Sequence, residues 1–390
     1  MESLLEYQLI MPIRMITQLE KGLVTGERFA DLMDHMEERR SELENWSATE
    51  QLVVSPIRDR LRRQDWSREL IQRCVGVTRT NGTRRTATGD KPGHGRAEEA
   101  ELGTVRMIYP AMAPMSNSCR PNCSTVHNPD YSLTVRTVVP VQAGDELTIS
   151  YSPLFAGRLE RQKYFLRNWF FECTCPRCCD RTDLGSNFDT RLCGSCGSNV
   201  LPVDLSRRAC WQCGTCSEIT EPETIRESET ALGQELEHLT GNPVEFYEKF
   251  LRENGAKLNK GHCLLMRAEC KLLMAYENPT DYVDLKRKCE LGEGLLNMLD
   301  VIQPGYTDIR GRILYELSAP SFQLLQRNLD SGSISLEQFS CGLKVLEGRV
   351  EECVDCLEGE WEGTYGNYIR TKATQVRDKI REMSLFAQYL

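Results

Sequence analysis

The chain has 390 residues, 40% of them hydrophobic, and a formal net charge of −9. Its length and apolar content suffice for a sizeable core in two or three domains. The acidic balance argues against nucleic acid as the default partner, because phosphate binding needs a basic footprint. No apolar run approaches the roughly 18 residues of a membrane span, and Glu2, Glu6 and Pro12 keep the first apolar stretch from reading as a signal peptide.

Cysteine usage narrows the class further. There are 18 cysteines, most of them between Cys119 and Cys216 in CxC and CxxC spacings. Such clusters read as metal sites in a reducing compartment rather than as a secreted disulfide framework. The expectation is an intracellular protein, cytoplasmic or nuclear.

Residues 1–70 read as helical, with Leu4, Leu5, Leu9, Ile13 and Ile16 at helical spacing, then Phe29, Leu32, Met33 and Met36. The arginines of IRDRLRRQDW (Arg58, Arg60, Arg62, Arg63) form a local basic patch, which reads as a solvated helix face. VGVTRTN (Val75 to Asn81) alternates and is expected to be a strand. The following stretch, residues 82–103, is almost without apolar residues and is expected to be a surface loop. VRMIYP is expected to return to the core.

The organising stretch runs from Ser116 to Cys178. It begins with the turn SNSCRPNC (Ser116 to Cys123), followed by the strand-like runs SLTVRTVV and DELTISY. A basic amphipathic stretch, RLERQKYFLRNWF, leads to the cluster FECTCPRC. A tetrahedral zinc takes four soft thiolates, and this cluster supplies three, Cys173, Cys175 and Cys178. Cys119, far back in the turn, completes the set and would fold everything between into one unit. A second set follows, Cys193-x-x-Cys196 and Cys213-x-x-Cys216, with 16 residues between the pairs, the spacing of a zinc ribbon. Both sets lack an open position and are expected to be structural zinc sites. Cys179 and Cys210 are left over, as small packed residues or alternative ligands.

From about residue 220 the chain reads as helices. Phe339, Leu343, Leu346, Val350, Cys353 and Leu357 step by four and three behind a Ser335–Gln338 capping box. Leu264, Leu265, Ala268 and Leu272, then Ile309, Ile313 and Leu317, make comparable stripes, and Pro304-Gly305 separates two helices.

Three ordered motifs carry a family resemblance. SNSCRPNC resembles the N-H-S-C-x-P-N signature of SET-domain protein methyltransferases, DELTISY the strand that follows it, and FECTCPRC the zinc-binding post-SET element. With the ribbon segment and helical tail, the chain is similar to the SMYD (SET-and-MYND) family, in its arthropod-type branch. The resemblance implies an α+β fold: a β-rich SET domain with zinc-bound additions, then an all-α tetratricopeptide-like domain. It divides the chain into a helical insertion (1–70), a partial SET core (71–155), a post-SET element (156–180), a ribbon-like segment (190–217) and the helical domain (220–390). The family's MYND finger and first strands would lie upstream of residue 1, so the chain reads as truncated, unless residues 1–70 cover the exposed sheet edge. The first cysteine is Cys74, alone.

The same resemblance implies S-adenosylmethionine as cofactor, with Ser116, Asn117 and Phe171 at its site, Tyr151 as the channel tyrosine of lysine methylation, and protein substrates. Three departures accompany it. Ser116-Asn117 stands where the family has Asn-His, Trp169 where it has a second channel tyrosine, and no cofactor glycine loop precedes the turn. Gly93-His94-Gly95 has the letters of such a loop but follows Pro92 in the polar stretch, on the wrong side of the helical segment. The expectation is therefore a methyltransferase-like SET protein that binds S-adenosylmethionine weakly or not at all. The alternative is an inactive zinc-stabilised scaffold that binds proteins through its helical array. Nucleic-acid binding through the ribbon is disfavoured, because its cations are Arg191, Arg207 and Arg208 and its aromatics Phe188 and Trp211.

Overall fold

The computed structural model describes residues 2–86, 104–360 and 364–386. They fall into two compact units: residues 2–86, 104–116 and 162–172 in the first, and 117–161 with the chain from 173 onward in the second.

The first unit opens with helices α1 (Glu2–Glu20), α2 (Gly26–Ala30), α3 (Met36–Ser41) and α4 (Leu43–Thr49). Two π-helical turns follow, Glu50–Val54 and Pro56–Arg60, then α5 (Arg68–Asn81) and the antiparallel hairpin of β1 (Gly82–Thr86) and β2 (Thr104–Ile108). Ile16, Phe29, Leu32, Val54, Ile57, Trp66 and Ile71 close its core. The basic patch is only partly a solvated face. Arg63 stacks over Trp66 at 3.7 Å and pairs with Glu20 and Asp65, and Arg58 bonds the Trp66 carbonyl.

Two expectations fail here. VGVTRTN is the second half of α5, not a strand. Ser67 caps that helix by accepting from the Leu70 N–H at 3.1 Å. Its β-branched residues are accommodated because Ile71, Cys74, Val75 and Thr78 form a buried helical stripe, and packing overrides propensity. The polar stretch after it begins as β1 rather than as loop, paired residue for residue with β2 from Gly82–Ile108 to Thr86–Thr104. Residues 87–103, Gly93-His94-Gly95 among them, lie outside the described residues.

Strand β3 (Ser116–Asn117) carries the chain into the second unit. There β4 (Cys123–His127) pairs antiparallel with β5 (Leu133–Thr137), and β6, only Thr148–Ile149, pairs with β3. DELTISY is thus mostly not ladder. The Asn122 side chain takes the place of a strand, donating to the Glu146 carbonyl at 2.8 Å and accepting from the Thr148 N–H at 2.8 Å. Helix α6 (Arg158–Trp169) begins in this unit and ends in the first. A four-stranded sheet in the order β10-β9-β8-β7 follows: β7 Arg191–Leu192, β8 Asn199–Pro202, β9 Trp211–Cys213 and β10 Ile219–Thr220.

The remainder is helical: α7 (Pro222–Glu237), α8 (Pro243–Asn254), α9 (Cys263–Ala275), α10 (Tyr282–Ile302), α11 (Asp308–Asp330), α12 (Leu336–Cys356) and α13 (Tyr365–Phe386). The expected capping box is present, with Ser335 Oγ accepting from Gln338 N–H at 3.2 Å and Gln338 Oε1 from Ser335 N–H at 2.8 Å. The expected stripes are buried, Leu343, Leu272, Ile313 and Leu317 among them. No helix among the described residues is long and apolar enough to cross a membrane.

Two positions bind these helices to the segments before them. Gly305 has φ +88°, and a Cβ there would sit 1.8 Å from the Val138 carbonyl, which accepts from Tyr306 N–H at 3.0 Å. Phe188 is fully buried in the same core as Leu236, Leu258 and Leu299, and its carbonyl accepts from Cys263 N–H at 2.8 Å. Phe188 thus joins the helical core from outside the helices. Phe188→Ala should cost about 3–5 kcal/mol and lower the denaturation midpoint followed by helical circular dichroism, although Phe188 lies in no helix. An unchanged midpoint would mean the array folds without it.

Candidate metal centres and the adjoining turn

The eight cysteines singled out in the sequence meet as two groups of four, each able to hold a metal ion, with the sulfurs of each group within 4.8 Å of one another. In the first, Cys119 Sγ lies 3.9 Å from Cys173 Sγ and 3.5 Å from Cys178 Sγ. In the second, Cys193–Cys216, Cys196–Cys213 and Cys196–Cys216 are 3.5, 3.4 and 3.6 Å apart. A tetrahedron with metal–sulfur bonds of about 2.3 Å has edges of about 3.8 Å, so both donor sets fit a four-coordinate thiolate site.

Their surroundings differ. In the first group Cys119, Cys173 and Cys178 are buried and Cys175 half-buried; in the second Cys196 and Cys216 are exposed. The first is crowded with hydrogen bonds. Contacts with Cys173, Cys175 and Cys178 push the Cys119 thiol far above its ordinary value, and the contact with Cys119 leads those that hold Cys175 far below. A bound dication removes that conflict, since all four can then be thiolates. The second group sits on the turns of the small sheet, where Gly197 and Ser217 take left-handed φ of 72° and 63°. The Glu218 carboxylate accepts from Cys193 Sγ at 3.1 Å and, first among its neighbours, pushes that thiol up to about 12. Cys179, whose thiol donates to the Thr174 carbonyl, and Cys210, 3.8 Å from Glu221, stand outside both groups.

Sequence reading missed what surrounds the first group. Arg161, Asp183 and Arg177 form a buried ion triad, with Arg161 Nη2 2.6 Å from Asp183 Oδ1 and Arg177 Nη2 2.7 Å from Asp183 Oδ2. Arg161 sits in the amphipathic α6 and Arg177 inside the cysteine cluster, so nothing in the spacing marks them as buried.

Asn117, assigned by resemblance to a cofactor, has both ends of its amide engaged within the second unit. Its Nδ2 donates to Cys173 Sγ at 3.3 Å and its Oδ1 accepts from the Tyr151 N–H at 2.9 Å. One side chain therefore links a metal-cluster sulfur to the backbone of the candidate channel tyrosine. Tyr151 is half-buried, and burial raises its phenol above the ordinary value. Ser116 and Phe171 belong to the first unit, where Phe171 stacks on Phe165 at 5.1 Å and the Trp169 indole N–H donates to the Thr80 carbonyl at 2.9 Å.

Residues 15–152 match the SET domain family model. Histone-lysine N-methyltransferase SMYD3 of Mus musculus is 42% identical over 82 residues, 21% of this chain and 18% of that protein. The SET domain-containing protein SmydA-8, isoform A, of Drosophila melanogaster is 28% identical over 150 residues, 38% of this chain and 30% of that protein. Protein-lysine N-methyltransferase SMYD4 of Homo sapiens is 28% identical over 151 residues, 37% of this chain and 17% of that protein. This chain carries a SET-domain match and is similar to proteins of the SMYD family. Its matches span less than a third of the length of these relatives.

The two clusters make a direct expectation. Elemental analysis of protein prepared without chelator should find two metal ions per chain, and Cys119→Ser should retain one. Because site formation and folding are coupled, that variant should also be cut more readily by protease at Ser116–Cys123. Folded, reduced protein without metal would contradict this.

Proposed function

We propose that this chain is a zinc-stabilised SET scaffold of the protein-lysine methyltransferase class, which binds S-adenosylmethionine weakly and engages other proteins through its helical array. Zinc is the ion that suits eight soft thiolates in two closed four-coordinate sets, and closed sets are structural rather than catalytic. The functional division follows the resemblance: helical insertion 1–70, SET core 71–155, post-SET element 156–180, ribbon 190–217 and protein-binding helices 220–390.

The observation that carries the weak-cofactor reading is the Asn117 amide, bonded at one end to Cys173 and at the other to Tyr151. Turning it toward a ligand would break both hydrogen bonds. Each costs about 0.5–1.5 kcal/mol, roughly 2- to 13-fold in affinity. Asn117 therefore does not suit a ligand-holding role. The serine beside it is too short to replace the family's asparagine.

A second reading, an active lysine methyltransferase, is favoured by Tyr151. Its hydroxyl is protonated at neutral pH in any case, burial raises it further, and it could orient a substrate amine. In that case S-adenosylmethionine would supply the methyl group.

Calorimetry on the zinc-replete chain separates the two. Weak or undetectable heat with S-adenosylmethionine is expected, and Tyr151→Phe should leave that titration unchanged. A dissociation constant in the low micromolar range would overturn the scaffold reading and make methylation by the Tyr151→Phe variant the next assay.

A further inference from the structure

The two cysteine groups have opposite electrostatic surroundings. Arg161 is fully buried; its Nη2 lies 3.7 Å from Cys178 Sγ and its Nη1 donates to the Ala156 carbonyl at 2.9 Å. Arg177, 2% exposed, donates from Nη1 to the Cys119 carbonyl at 3.1 Å. Asp183 joins them, accepting from Arg161 at one oxygen and from Arg177 Nε and Nη2 at the other, with Ser186 Oγ donating as well. Each arginine therefore reaches a different ligand of the first group, one at the sulfur and one at the backbone.

Charge explains why such a costly arrangement persists. Four thiolates and one dication carry −2, and two guanidinium groups with one carboxylate carry +1, so together they leave −1. Burying the thiolate set alone would leave a larger uncompensated charge. The Asn117 amide adds a neutral N–H to Cys173. At the second group a carboxylate, that of Glu218, lies 3.1 Å from Cys193 Sγ, where it accepts from the thiol and repels the thiolate. It adds negative charge to a tetrathiolate already exposed at Cys196 and Cys216.

We propose that Arg161 and Arg177, bridged by Asp183, are positioning residues that lock the first metal ion in place. The two ions then leave in a fixed order: the Cys193–Cys216 set gives up its metal readily, and the Cys119–Cys178 set holds on. This rests on the reading that both sets hold zinc.

Timed zinc transfer from the full-length chain to a chromogenic chelator tests it. Two phases of equal amplitude are expected. Cys216→Ser, which disables the second set, should remove the fast phase and spare the slow one. Arg161→Met, which keeps bulk and loses charge, should weaken the slowly released ion roughly 10- to 100-fold, the usual scale for losing a group that orients a metal ligand. Arg161→Lys, with charge but no fork, should fall between Arg161→Met and the unsubstituted chain, and neither should alter the fast phase. A purely structural arginine would lower the melting temperature in both variants without separating their release. Should Arg161→Met fail to fold, the phase that survives in Cys216→Ser decides the order, and the slow phase of Arg161→Lys decides the role of the arginine. Fewer than two zinc ions at the start would overturn the zinc reading and this inference with it. Two ions released in the reverse order, or a slow phase indifferent to Arg161→Met, would overturn the inference alone.

Discussion

The second unit depends on one closure, the meeting of Cys119 with Cys173, Cys175 and Cys178 across more than fifty residues of chain. Bringing such distant points together costs loop entropy that no local hydrogen bond offsets. A tetrathiolate metal site can, because its binding free energy is folding free energy. The segments it gathers are poor in regular structure: β6 has two residues, and Asn122 rather than a strand partner satisfies the backbone at Glu146 and Thr148. The cluster therefore does what a larger sheet would do elsewhere.

From that closure two side chains radiate. Asn117 links a cluster sulfur to the amide of the candidate channel tyrosine, Tyr151. Arg177 runs the other way, bonding the Cys119 carbonyl and lying over the Phe188 ring at 5.0 Å. Phe188 in turn belongs to the helical core. The helical array is thus joined through Phe188 and Arg177 to the cysteine cluster, and through Gly305 to Val138.

Much of this was legible in the sequence where the chemistry is local or the period unambiguous. The two cysteine sets, the Ser335–Gln338 box and the stripe from Phe339 to Leu357 were all readable. Paired cysteines at ligand spacing suit a metal, and a sustained 3.6-residue apolar period suits a helix and not a strand. The helix over Val75 to Asn81 was not readable. Alternating β-branched residues imitate a strand, and Ser67, the cap that starts the helix, lies eight residues upstream of the alternation. The β1 strand was missed because polar, turn-forming residues carry no apolar alternation to mark a strand. The buried Arg161–Asp183–Arg177 triad could not be read at all, since charge in an amphipathic helix looks solvated until its neighbours are known. Asn117 was read as a site residue, but its engagement with Cys173 depends on a contact 56 residues away.

Hydrogen exchange on the metal-replete and metal-free chain tests the central claim most directly. Removing the metal should deprotect residues 117–123 and the Tyr151 amide together, because Asn117 can hold that N–H only while the cluster holds Asn117. Protection at Tyr151 that survives loss of the metal, with only the cysteine segments opening, would contradict the account.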